Sequence, residues 1–141
     1  MNMYAGNKVK PLAVLGKNMS KLRKKVARFE RRRNRSKTLF KSADSRHRLC
    51  VYRSNQNIEA QIIDDLNGIT IVSASTVDKE LKTMIKNTDT KTEKSKLVGK
   101  ILAERAKDKK VKKVVFDRNG FSYQGRIKAL AEAARKGGLS F

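Results

Sequence analysis

The chain reads as one small α/β domain with a mixed sheet, preceded by a strongly basic arm, and three observations lead to that class. Charge is concentrated at the front: residues 1–48 hold 16 Lys and Arg against 2 Asp and Glu, and residues 49–141 hold 19 against 11. Three short β-rich runs separated by turn residues follow the arm. Two segments of helical periodicity then flank one further apolar run, giving the order arm, β, β, β, α, β, α. A length of 141 residues suits one domain plus an extension and leaves no room for two full cores.

Residues 1–18 are mixed and without clear periodicity, and are expected to be a disordered extension without a function of their own. Residues 19–47 form the arm. Leu22, Val26 and Phe29 recur on one narrow stripe among Lys21, Arg23, Lys24, Lys25, Arg28, Arg31, Arg32, Arg33, Arg35 and Lys37, which is a basic helix with a thin apolar face. Only five of the 32 residues 17–48 are Leu, Ile, Val or Phe, the sparsity that accompanies disorder in charged chains, so the arm is expected to order fully on its target.

The domain occupies residues 48–141. Residues 49–52 are continuously apolar, residues 58–63 alternate through Ile58, Ala60 and Ile62, and residues 69–74 are rich in β-branched side chains. Short polar residues at 54–57 and the turn pair Asn67 and Gly68 connect them, so an antiparallel meander is expected. A short helical turn at 76–85 and a polar loop at 87–96 come next. Leu97, Val98, Ile101, Leu102 and Ala106 then make a helix long enough for a crossover. Val111, Val114, Val115 and Phe116 predict a strand apolar on both faces, inside a covered sheet. A last helix buries Ile127, Leu130, Ala131 and Ala134 and stops at Gly137 and Gly138.

A net charge of +22 is far beyond the roughly 2 to 8 that keeps a small domain soluble. A polyanionic partner is the physical reading, its phosphates neutralising the arm and releasing counterions. An anionic membrane is disfavoured, because Arg31, Arg32 and Arg33 wrap charge round the helix and leave too narrow a stripe to insert. No stretch approaches a membrane span. One cysteine, Cys50, excludes an intramolecular disulfide, and a cytosolic chain is expected.

Catalysis has no visible foothold. His47 is the only histidine, and its neighbours Asp44, Ser45 and Cys50 are too close along the chain to compose a triad. One His and one Cys cannot build a metal cluster, and no P-loop or dinucleotide fingerprint occurs. Asp64 and Asp65 read as turn formers. No enzyme activity, cofactor, metal or small-molecule substrate is expected. A metal-dependent nuclease would need clustered carboxylates, and a DNA-compacting protein would not discriminate the 2′-hydroxyl.

Residues 116–126, FDRNGFSYQGR, leave a strand, turn at Asn119 and Gly120, and enter a helix, where α/β folds place binding groups. Arg118 and Arg126 supply guanidinium forks, Tyr123 a stacking face, and the helix start favours an anion; Phe121 is expected to pack inward. Arg46, Arg48, Arg53, Ser54 and Asn55 form a second patch where the arm meets the sheet, with Ser75 and Thr76 nearby.

These residues carry a resemblance. RLCVYRSNQNIEAQII, SASTVDKEL, LVGKILAERA and FDRNGFSYQGRIKALAEAARKGGLSF are similar to the bacterial form of the large-subunit ribosomal protein family numbered eighteen, the 5S rRNA-binding member, over about residues 19–141. The resemblance implies a three-layer α/β/α fold of the ribonuclease H-like type without catalysis. It implies a structural role in the cytoplasmic ribosome: binding 5S rRNA and helping attach it to 23S rRNA at the central protuberance, beside neighbouring 5S-associated proteins. It also places RNA contacts in the arm, at Arg53, Ser54 and Asn55, at Ser75 and Thr76, and at Tyr123, Gln124, Gly125 and Arg126. Gln124 departs from the His that the family often carries; it keeps hydrogen bonding and loses a ring.

Overall fold

The computed structural model describes residues 12–40, 46–86 and 89–141. In chain order its elements are α1 (Leu12–Phe40), β1 (His47–Arg53), β2 (Ile58–Asp64), β3 (Ile69–Ser75), α2 (Lys79–Met84), α3 (Lys91–Asp108), β4 (Val114–Asp117) and α4 (Arg126–Lys136). The arm is one helix, and it begins at Leu12, inside the segment 1–18 expected to be disordered. Leu12, Ala13 and Leu15 are good helix formers and simply extend it. The rest of that segment, residues 1–11, and residues 41–45 lie outside the described residues.

The three β-rich runs form the expected meander. β1 is antiparallel to β2 with Val51 opposite Ala60, and β2 is antiparallel to β3 with a register shift between Ile62 and Ile63. The crossover through α3 carries the chain to the other side of the sheet, where β4 runs parallel to β1 in the order β3-β2-β1-β4. The expectation of an interior strand at 111–116 needs correction: β4 starts at Val114 and is the end strand. Its apolar character is used all the same. Ser140 accepts the Val114 N–H at 3.1 Å and donates to the Lys112 carbonyl at 2.8 Å, covering the far edge.

α3 starts at Lys91 rather than near Leu97, so most of the polar stretch expected as loop is helix. A capping box explains it: Thr90 Oγ1 accepts the Glu93 N–H at 3.2 Å while the Glu93 carboxylate accepts the Thr90 N–H at 2.6 Å. Two orphan donors of the first turn are thereby satisfied, which outweighs the polar composition.

Alternation along the strands sends Leu49, Val51, Ile58, Ala60, Ile62, Val72 and Ala74 to one face, where they pack with Val98, Leu102 and Ala106 of α3 and Ile127 and Leu130 of α4 in one core. The two helices touch backbone to backbone: a Cβ on Gly99 would lie 2.4 Å from the Leu130 carbonyl oxygen. The opposite face carries Arg48, Cys50, Tyr52 and Asp117. α1 meets the molecule on that side, giving helices, mixed sheet and helix in three layers with a basic N-terminal arm. Its contact is local. Phe29 packs on Phe121, ring centroids 5.3 Å apart, while Met19, Leu22 and Val26 are about half exposed.

Candidate nucleic-acid interface

Lys21, Arg23, Lys24, Lys25, Arg28, Arg31, Arg32, Arg33 and Arg35 all lie exposed on α1, and Arg46 is exposed just before β1. Lys37 falls in the helix, but its side chain is outside the described residues. The single stripe of Leu22, Val26 and Phe29 divides: only Phe29 is packed. Phe121 is its receptor and also meets Tyr52 edge-on at 6.2 Å, with the Arg53 guanidinium 5.2 Å above the ring. The arm, the first hairpin and the loop 118–126 therefore join at one aromatic side chain.

The hairpin is set by its own polar groups. Ser54 Oγ accepts the Asn57 N–H at 2.9 Å, leaving Asn55 exposed at the tip. Thr76 is buried: its hydroxyl donates to Asn57 Oδ1 at 3.1 Å and accepts the Ile58 N–H at 3.3 Å. Ser75 Oγ accepts the Val77 N–H at 3.3 Å. Ser54, Ser75 and Thr76 thus hold the turns together, while Asn55 is exposed and Arg53 lies partly buried over Phe121.

In the loop, Asn119 and Gly120 both take positive φ, 51° and 81°, which reverses the chain after β4. A Cβ on Gly120 would lie 3.3 Å from both the Cβ and the backbone nitrogen of Arg33, so the missing side chain is what lets α1 approach. Arg118 and Gln124 are exposed. Tyr123 is half committed: its hydroxyl accepts from Arg135 Nη1 at 2.8 Å and its ring meets Phe116 edge-on at 6.3 Å. Gly125, φ 55°, caps α4 without a side-chain hydrogen bond. Arg126 follows it with Nη1 buried and lacking a hydrogen-bond partner. Burial, and then the like charge of Arg53, pull its pKa below the ordinary arginine value, a cost that an arriving anion relieves.

Arg48 has a different setting from the other candidates. Its Nε and Nη2 donate to the two Asp65 oxygens at 2.8 and 2.7 Å, and Nη1 donates to Asp117 Oδ2 at 3.2 Å. Asp117 was not singled out by sequence, and Asp65 does more than form a turn; Asp64 does form one, accepting the Leu66 and Asn67 N–H groups. No local signal marks the Arg48 pair with Asp117, which are 69 positions apart. Tyr52, 52% exposed beside Arg53, is a further stacking face that strand alternation alone would have revealed. Among the described residues there is no group of acidic, His and Cys side chains able to hold a metal, and no helix long and apolar enough to cross a membrane.

Comparison with known proteins agrees with this layout. Residues 23–141 match the family model described as ribosomal L18 of archaea, bacteria, mitochondria and chloroplast. The chain is 55% identical over 119 residues to the large ribosomal subunit protein uL18 of Kosmotoga olearia, covering 84% of this chain and 95% of that protein. It is 56% identical over 114 residues to that of Bartonella henselae (80% and 94%), and 51% over 121 residues to that of Fusobacterium nucleatum (84% and 98%).

Proposed function

The chain belongs to the ribosomal L18 family and is a structural constituent of the large ribosomal subunit, part of the ribosome in the cytoplasm; from that premise we propose that it binds 5S rRNA and helps attach it to 23S rRNA at the central protuberance, beside neighbouring 5S-associated proteins. The observation that carries this reading is the convergence at Phe121. Phe29, on the helix that carries the exposed cations of α1, and the Arg53 guanidinium both meet the Phe121 ring, and Arg126, whose buried Nη1 lacks a hydrogen-bond partner, lies close enough to Arg53 to feel its charge. α1 supplies a row of point charges for phosphates, while the hairpin tip and the loop present forks and rings to a folded RNA.

The family is a structural, non-enzymatic class, and we propose no chemistry for this member. Residues 19–47 act as the RNA-binding arm and residues 48–141 as the RNA-binding domain. Competition binding with 5S rRNA, a scrambled RNA and duplex DNA tests the proposal. Binding should favour 5S rRNA and weaken by several powers of ten between low and moderate salt if roughly ten phosphates are neutralised. Equal affinity for duplex DNA, or binding indifferent to salt, overturns it.

A further inference from the structure

We infer that Asp117 is a positioning residue of the RNA interface: together with Arg48 it fixes the loop 118–126 relative to the β2–β3 turn and to α1. Asp117 ends β4 and is only 2% exposed, so its carboxylate works inside the protein. Oδ1 accepts the Asn119 N–H at 2.8 Å, closing an Asx turn over the position where φ becomes positive. Oδ2 accepts from Arg48 Nη1 at 3.2 Å. The rest of the Arg48 fork is held bidentate by Asp65 beyond the end of β2. From Asn119 the chain steps to Gly120 and Phe121, the residues against which Arg33 and Phe29 of α1 pack. A continuous set of hydrogen bonds therefore runs from the β2–β3 turn through the sheet to the loop, and packing carries it on to the arm.

Charge separates Arg48 from the arginines around it. Two carboxylates face one guanidinium, so the donors of the Arg48 fork are already occupied and are not offered to a phosphate. Arg53 and Arg126, in contrast, act on each other as like charges. Arg48 thus serves RNA binding through the loop it holds, not by touching RNA.

The affinity part of this inference rests on the 5S rRNA reading, and the test keeps the two apart. In the full chain, Asp117→Asn, Arg48→Met and Arg126→Ala are compared by amide exchange over residues 118–126 in the free protein and by 5S rRNA binding across a salt series. Asp117→Asn and Arg48→Met should speed loop exchange and weaken binding roughly tenfold while leaving the slope of log affinity against log salt unchanged. Arg126→Ala should instead flatten that slope by about 0.7 to 0.9, one phosphate. A residue that only stabilised the domain would leave the affinity of the folded variant unchanged. Loop exchange at the wild-type rate in Asp117→Asn and Arg48→Met, wild-type affinity in both, or a slope flattened by Arg48→Met, each overturns the inference. If Asp117→Asn does not fold, Asp65→Asn loosens the same fork from its exposed end and is judged by the same readouts. A wild-type chain without preference for 5S rRNA refutes the proposed function, and loop exchange still decides whether Asp117 positions the loop.

Discussion

Replacing Phe121 with Ala removes the ring on which α1 rests, and the structure sets the size of the effect. The ring meets Phe29 at 5.3 Å and Tyr52 at 6.2 Å, and it lies 5.2 Å beneath the Arg53 guanidinium. Each aromatic pair contributes about 0.5–1.5 kcal/mol beyond burial, and a half-exposed cation–π contact about 0.5–1 kcal/mol. Of these, only the Phe29 contact belongs to α1, so docking of the arm should weaken by about 1 kcal/mol, a factor of roughly five. Hydrogen exchange resolves the two parts: α1 amides should lose protection while those of β1, β2 and α3 keep theirs. Phe29→Ala should loosen α1 to the same extent. In a double-mutant cycle the second substitution should add little, since the interaction is already gone. Unchanged α1 protection in either variant, or strictly additive losses, would refute the argument that this pair seats the arm.

Arg126→Ala should lower 5S rRNA affinity without lowering the melting temperature, because the Nη1 it removes is buried without a partner; a drop in melting temperature would show that the side chain supports the fold. Gly99→Ala drives a Cβ to within 2.4 Å of the Leu130 carbonyl and should cost about 1–3 kcal/mol, read as a lower thermal midpoint. Hydrogen bonding from Arg48 holds the Asp65 carboxyl below its ordinary 3.8. Its stabilisation is therefore complete above that value and is lost as pH falls below it through the folded-state pKa. The gap in melting temperature between wild type and Asp65→Asn should close on acidification, and it should be modest, since the side chain is 48% exposed. Burial, and then the Asp117 charge, push the Cys50 thiol up to about 11, so alkylation should be slow at neutral pH and its pH profile should move lower in Asp117→Asn.

Local patterns made much of the fold legible. Strand alternation through Ile58, Ala60 and Ile62 named a face that is buried, and Asn67 with Gly68 placed a turn where Gly68 indeed has φ 67°. In the polar stretch before Leu97 the helix start is carried by the Thr90–Glu93 spacing, not by composition. The edge position of β4 was not legible: an apolar run says that a strand is covered, and Ser140 covers this one from the end of the chain. At the site, sequence could mark Arg48, Arg53 and Arg126 as cations but not tell them apart. That distinction depends on Asp65 and Asp117, which the pairing of β1 with β2 and with β4 brings to Arg48.

How the few acidic residues are distributed explains why so basic a chain still folds and still keeps charge for its partner. Asp65 and Asp117 hold Arg48, Asp78 and Glu80 hold Arg105, and Glu104 and Glu132 lie one helical turn from Lys100 and Lys128. Glu93 closes the cap of α3. These carboxylates all belong to the domain, where each is spent on a local cation or helix cap. Across Leu12–Phe40, by contrast, Glu30 is the one acidic residue among eleven Lys and Arg. The helix cannot balance that charge from within, and the Phe29 ring contact with Phe121 anchors it to the domain. Counterions balance it in the free protein. In the proposed function, their release when phosphates take their place makes the arm a source of affinity, and the carboxylate-held domain gives that affinity a direction.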